Sequence, residues 1–218
     1  MKTPLLILIT SVCLTACSAP VMHSYTLQGS APPSETPVAA PAFQLEIRPV
    51  RVPVQVDQPQ LVVRLNQASL AIMENDRWGA PLAEEFHDAL TDRLESRLGT
   101  HDLAGMSKDA KRPVLSIQAE VRRFDSLPGQ YALEDVVWSL ELRGNDQVRR
   151  TLTCATQIRQ PAGVELKSLV LAHQHLIDLL AKTIADTANG WTKDAAHKCP
   201  SETSDTSAYI SEGNTARG

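Results

Sequence analysis

Leu115-Ser116-Ile117-Gln118-Ala119-Glu120-Val121-Arg122 and Val136-Val137-Trp138-Ser139-Leu140-Glu141-Leu142-Arg143 place apolar residues at every second position. Successive side chains of an extended chain point to opposite faces, so each stretch reads as a strand with one dry and one wet side. Leu127-Pro128-Gly129 and Gly144-Asn145-Asp146 mark turns. A third run, from about Gln147 to Gln160, keeps Leu152, Cys154 and Ile158 in one phase. Short connections and one wet face per strand predict an antiparallel sheet covered on one side only. The cover is expected over about Gly163 to Asn189, where Leu166, Leu169, Val170, His173, Leu176, Ile177, Leu180 and Ile184 form a stripe at helical spacing. Gly190 reads as its stop.

Upstream, the same arrangement is foreshadowed. Phe43, Leu45 and Ile47 alternate with Gln44, Glu46 and Arg48, and Val52, Val54 and Val56 continue the apolar phase. Pro49 and Pro53 restrict that continuation to an edge or irregular strand. Leu61, Val63 and Leu65 form a further alternation, and Leu70-Ala71-Ile72-Met73 reads as another strand. Asn75-Asp76-Arg77-Trp78-Gly79-Ala80-Pro81 breaks the pattern, with Pro81 placed to open a helix. Leu82, Phe86, Leu90, Leu94 and Leu98 recur every fourth residue, Glu84 and Glu85 come early, and Arg93 and Arg97 come late, as the helix dipole favours. Gly99 ends it. The expected fold is α+β: an antiparallel sheet of about six strands in the order βββ-α-βββ-α, with two helices packed on one face.

The N-terminus predicts the compartment. Lys2 is followed by an apolar run from Leu5 to Leu14, then by Thr15-Ala16-Cys17. This is a signal-peptide layout, and it falls short of the ~20 apolar residues a membrane-crossing helix needs. Leu14-Thr15-Ala16-Cys17 looks like a lipobox, after which the chain is cleaved and Cys17 is acylated. The alternative is an ordinary secretory signal in which Cys17 is incidental. Each buried methylene contributes about 0.8 kcal/mol, so two or three acyl chains hold a domain on a bilayer. Ser18, rather than aspartate, resembles an outer-membrane address facing the periplasm.

Cleavage before Cys17 removes one lysine and leaves twenty basic against 25 acidic side chains. An acidic chain with scattered arginines gains none of the phosphate attraction that dominates nucleic-acid binding, so no nucleic-acid partner is expected. Residues 1–16 are assigned to the signal and 17–42 to a Pro, Ala and Ser-rich tether spanning about 25 to 30 Å as a coil. Within the tether, Tyr25-Thr26-Leu27 has strand-like chemistry suited to docking on the domain edge. A domain at 43–199 and a disordered tail at 200–218 complete the organisation.

Cys154 and Cys199 remain as a pair, which in an oxidising compartment reads as a structural disulfide. Two free thiols, or a metal site with His197 as its nearby nitrogen ligand, are the alternatives. No catalytic or metal constellation stands out, and no cofactor is expected. His173 and His175 lie two apart, on different sides of a helix, and cannot share an ion. His173 sits on the apolar stripe and reads as a hydrogen-bonded core residue. Ser116 and Ser139 alternate outward without a nucleophile elbow. Asp76, Glu84 and Glu85 flank a helix start, where acids are stabilising in any case, and Asp76 is expected to help cap it. Two readings of Asn75, Asp76, Arg77 and Trp78 stand together: a strand-to-helix corner with Trp78 as a lid over the core, or a protein–protein contact, for which Arg and Trp are common anchors.

The order lipobox, Ser24-Tyr25-Thr26-Leu27, Ile47-Arg48-Pro49-Val50-Arg51-Val52-Pro53, Gln60-Leu61-Val62-Val63-Arg64, then Glu74-Asn75-Asp76-Arg77-Trp78-Gly79-Ala80-Pro81-Leu82 resembles the PqiC/YmbA group of ABC-type transport auxiliary lipoproteins. The likeness covers roughly residues 14 to 190. It implies a non-enzymatic outer-membrane lipoprotein that works with a mammalian-cell-entry-domain protein of a Pqi-like lipid transport system and supports envelope integrity. An oligomeric ring suits such a role, though the sequence specifies none. A periplasmic lipid-binding carrier is the alternative, and a structural lipoprotein of another assembly is a third reading. The acidic tail after Cys199 departs from the compact family pattern, and the cysteine pair is not carried over as a family rule.

Overall fold

The computed structural model describes residues 21–29, 40–144 and 149–200. The lipobox with Cys17 and Ser18, the turn residues Asn145 and Asp146, and the tail from Ser201 lie outside the described residues. Nine elements follow in order: β1 (His23–Tyr25), β2 (Gln44–Ile47), β3 (Gln60–Arg64), β4 (Leu70–Trp78), α1 (Leu82–Leu98), β5 (Val114–Leu127), β6 (Tyr131–Arg143), β7 (Arg149–Pro161) and α2 (Leu166–Lys193).

The α+β class stands, but the single antiparallel sheet does not. The strands form two sheets, β1-β4-β3 and β2-β5-β6-β7. Two of the pairings are parallel: β1 beside β4, and β2 beside β5 with Leu45 opposite Leu115. Alternation tells which face of a strand is dry but not which strand lies beside it. A parallel neighbour separated by several intervening elements leaves no turn signal between the two.

In the larger sheet the register sets one inward row. Leu115, Ile117, Ala119 and Val121 of β5 stand opposite Leu142, Leu140, Trp138 and Val136 of β6, and Trp138 stands opposite Cys154 of β7. A β-bulge between Val121 and Arg123 shifts the phase by one residue. Phe124 and Ser126 thereby join the buried side, beyond the point where simple alternation would put them. Helix α2 packs on β6 and β7 and against α1.

Several local expectations are corrected. Val54 and Val56 do not extend a strand: Val56 N–H donates to Pro53 O in a turn, and Val54 is 87 % exposed. The stretch Asn75 to Trp78 is not a break but the end of β4, because β1 supplies a second neighbour there. Helix α1 begins at Leu82 with Pro81 as the residue before it, and Gly99 caps its far end in the left-handed conformation, φ 64°. Helix α2 runs through Gly190 to Lys193. A methyl on Gly190 would come within 2.6 Å of the His197 ring, so this glycine serves the close return of the chain rather than a helix stop.

Candidate functional site

The corner where β1 meets β4 is held by two carboxylates. Asp76 accepts from the Tyr25 hydroxyl at 3.1 Å, and His23 Nδ1 lies 3.2 Å from the same oxygen. Burial first, then the Asp76 carboxylate, push the Tyr25 phenol above its ordinary value. Asp76 is thus committed to β1 and makes no cap on α1, where no side-chain cap bond exists. Glu85 performs the clamp instead. Its Oε2 accepts from Thr26 Oγ1 at 2.7 Å and from Leu27 N–H at 2.8 Å, and its Oε1 accepts from Ala80 N–H at 3.1 Å. One buried acid in the first turn of α1 therefore fastens both the β1 exit and the β4 exit. Leu27 is fully buried, so the Tyr25-Thr26-Leu27 segment docks into the core.

This geometry sorts the four residues expected at a partner contact. Asn75 and Arg77 are exposed, Asp76 is half-buried, and Trp78 is buried with its ring edge-on to Phe124 at 6.1 Å. Trp78 is the lid on the core, and the solvent-facing surface of the corner belongs to Asn75 and Arg77.

Beneath Trp78 lies a polar cluster that the sequence did not advertise. Phe124 stacks on the His173 ring at 3.8 Å and 9°. His173 Nε2 is 2.9 Å from Ser126 Oγ, and His173 Nδ1 is 3.0 Å from Glu134 Oε1. His173 and Glu134 are 1 % and 0 % exposed. Burial holds the Glu134 carboxyl well above its ordinary value, with Arg93 pulling the other way. Burial also pushes His173 down to about 3, opposed by Asp125. Both groups therefore favour their neutral forms. The consistent network has Glu134 Oε1–H donating to His173 Nδ1 and His173 Nε2–H donating to Ser126 Oγ, an assignment made from the bonding pattern. Glu134 Oε2 is left without a partner.

Glu134 shares the phase of Val136 and Trp138, so extending that alternation back by two residues would have placed it inside. Ser126 was hidden by the bulge. The expected core histidine, His173, is where its stripe put it.

Cys154 and Cys199 are joined, with Cα atoms 5.5 Å apart, tying the segment after α2 to β7. Trp191 is buried beside this closure, with the Arg150 guanidinium 5.0 Å from its ring centroid. Among the described residues, no three His, Cys, Asp or Glu side chains are grouped to hold a metal ion. No described helix is long and apolar enough to cross a membrane.

The model of the family described as ABC-type transport auxiliary lipoprotein component matches residues 25–185. Among curated proteins, none matches the chain. Two crystal structures share the fold. One, of an uncharacterized protein, is 15 % identical with a TM-score of 0.59, covering 77 % of this chain and 98 % of that one. The other, protein XCC0632 from Xanthomonas campestris, is 16 % identical with a TM-score of 0.55, covering 80 % and 99 %. The family match runs from Tyr25 in β1 to Ala185 in α2 and so takes in the corner, its glutamate clamp and the buried cluster together. The chain belongs to the ABC-type transport auxiliary lipoproteins, the PqiC/YmbA group.

Proposed function

We propose that this protein is a non-enzymatic accessory subunit of an intermembrane lipid transport system of the Pqi type. Acyl chains on Cys17 hold it to the periplasmic face of the outer membrane, and the α+β domain docks a mammalian-cell-entry-domain protein that bridges the periplasm. The family match over residues 25–185 carries this reading. The lipobox supports the anchor. The Asn75 and Arg77 side of the corner is the contact, because it is exposed while its backbone is fixed by Asp76 below and by Trp78 packed into the core. In an oligomeric ring the same corner would be repeated around one axis.

The Ser126–His173–Glu134 array has the order of a hydrolytic triad but not its chemistry. A histidine held near 3 is a weak base at neutral pH, and the ring is sealed beneath Phe124 and Trp78. The carrier reading calls for an enclosed apolar space. The cleft beside β5 measures about 70 Å³, against the ~300–1,000 Å³ usual for pockets that bury a small molecule.

Affinity purification from detergent-solubilised envelope tests the proposal. The wild-type chain is expected to recover a mammalian-cell-entry-domain protein, and Arg77→Glu is expected to reduce that recovery about tenfold, the equivalent of 1.4 kcal/mol. Recovery of an unrelated assembly instead, or stoichiometric phospholipid retained by the isolated chain in native mass spectrometry, would overturn it.

A further inference from the structure

Two consecutive residues of a regular strand point to opposite faces. At the β5 bulge this rule is suspended, and both Arg122 and Arg123 line the same small cleft, between the turn after Pro53 and the edge formed by β3 and β4. Arg64 of β3 lines it from the other side. Asp125 is the one carboxylate among the lining residues, and it accepts from Arg64 Nη2 at 2.9 Å and from Arg123 Nη2. Three guanidinium groups against one carboxylate leave two net positive charges on a cleft of about 70 Å³.

The donors are not used up. Arg64 Nε is buried and has no acceptor, although the same side chain spends its other nitrogens on Asp125, Asn66 O and Gln67 O. That nitrogen is sealed from the cleft, so the groups able to meet an anion there are the exposed Arg122 and Arg123 guanidinium groups and the partly exposed outer end of Arg64. In the Ser126–His173–Glu134 network, Ser126 Oγ accepts the hydrogen bond from His173 Nε2–H. Its own hydroxyl is then free to donate, and Ser126 also lines the cleft. The remaining wall is mostly apolar, with Val56, Val62, Phe124 and partly exposed Leu70 beside the amide of Gln55.

We infer that this cleft binds one phosphate-class oxyanion, held by Arg64, Arg122 and Arg123 and positioned by Ser126. The apolar rim suits a phosphodiester that carries acyl substituents outside the cleft, so a phospholipid headgroup and free phosphate are the two sources. The site itself stands on the charge and donors of the cleft, whereas the phospholipid source rests on the transport reading above.

Calorimetric titration of the full-length, detergent-solubilised lipoprotein with inorganic phosphate and with dihexanoyl phosphatidylglycerol tests it. Saturable binding of either probe is expected, weakening as salt is raised. The variant Arg122→Gln/Arg123→Gln should lose about tenfold or more in affinity. Both side chains are substantially exposed, so the variant keeps its fold. Arg150→Gln, away from the cleft, should bind as the wild type does. Preference for the lipid probe supports the headgroup source, and preference for inorganic phosphate supports a free-anion site and speaks against that source alone. Saturable binding of neither probe, or equal affinity in the double variant, overturns the site, and neither result depends on whether the transport partner is recovered.

Discussion

Glu134 and His173 make the core of this domain sensitive to pH in two opposed ways. In the unfolded chain His173 takes up a proton near 6.5, whereas in the fold it does so only near 3, so stability falls as pH drops through that interval. Glu134 keeps its proton in the fold above 4.5, where the unfolded chain has lost it, so stability falls as pH rises until the folded carboxyl ionises. Between about 4.5 and 6.5 the two slopes cancel, because the folded and unfolded chains each hold one proton on the pair. Glu134→Gln mimics the neutral acid and removes one slope. Urea denaturation is expected to show the variant gaining on the wild type by about 1.4 kcal/mol per pH unit from pH 5 upward, until the native carboxyl ionises. A gap that stays constant between about pH 5 and 7 would mean that Glu134 is already ionised in the fold. At this scale the sequence was partly legible: His173 declared itself by its place on the helical stripe, whereas Glu134 was passed over although its phase with Val136 and Trp138 points inward. Glu85 looked like an ordinary first-turn acid, because nothing local tells that Thr26 and Leu27, nearly sixty residues away, return to it.

Among the elements, β5, β6, β7 and α1 were readable because each carries its own periodicity and its own turn or capping residue. What escaped depends on partners remote in sequence. The β2–β5 and β1–β4 pairings join segments separated by many residues, and β4 runs on to Trp78 with β1 on one side and Gln60 of β3 on the other. Gly190 was misread for a related reason: it has the composition of a helix stop, but it answers to the chain returning past it. That return is fixed by the Cys154–Cys199 bond. In a chain-entropy account, closing a loop of separation 45 stabilises the fold by about 4 kcal/mol. The Cys154→Ser/Cys199→Ser variant is accordingly expected to lose about that much in urea denaturation, with α2 fraying first at Trp191 in hydrogen exchange. Full protection of the Trp191 region in the double-serine variant would show that packing alone holds this end of α2.

At the scale of the whole molecule, the fold supplies a block with one docked N-terminal strand, and in the proposed function Cys17 ahead of it supplies the anchor. With the proposed acylation, the order of these parts gives the domain its use: Cys17, five residues, then β1 locked to β4 and α1 by Asp76 and Glu85, with the Pro-rich run only after it. A pull on the anchor is therefore delivered to the corner that presents Asn75 and Arg77. The central claim is that this protein works only while attached to the outer membrane through Cys17, and fractionation with complementation of Cys17→Ser tests it most directly. The variant is expected to leave the outer-membrane fraction and to fail to restore envelope integrity, although its domain folds normally. Retention of Cys17→Ser in that fraction with integrity fully restored would contradict the account.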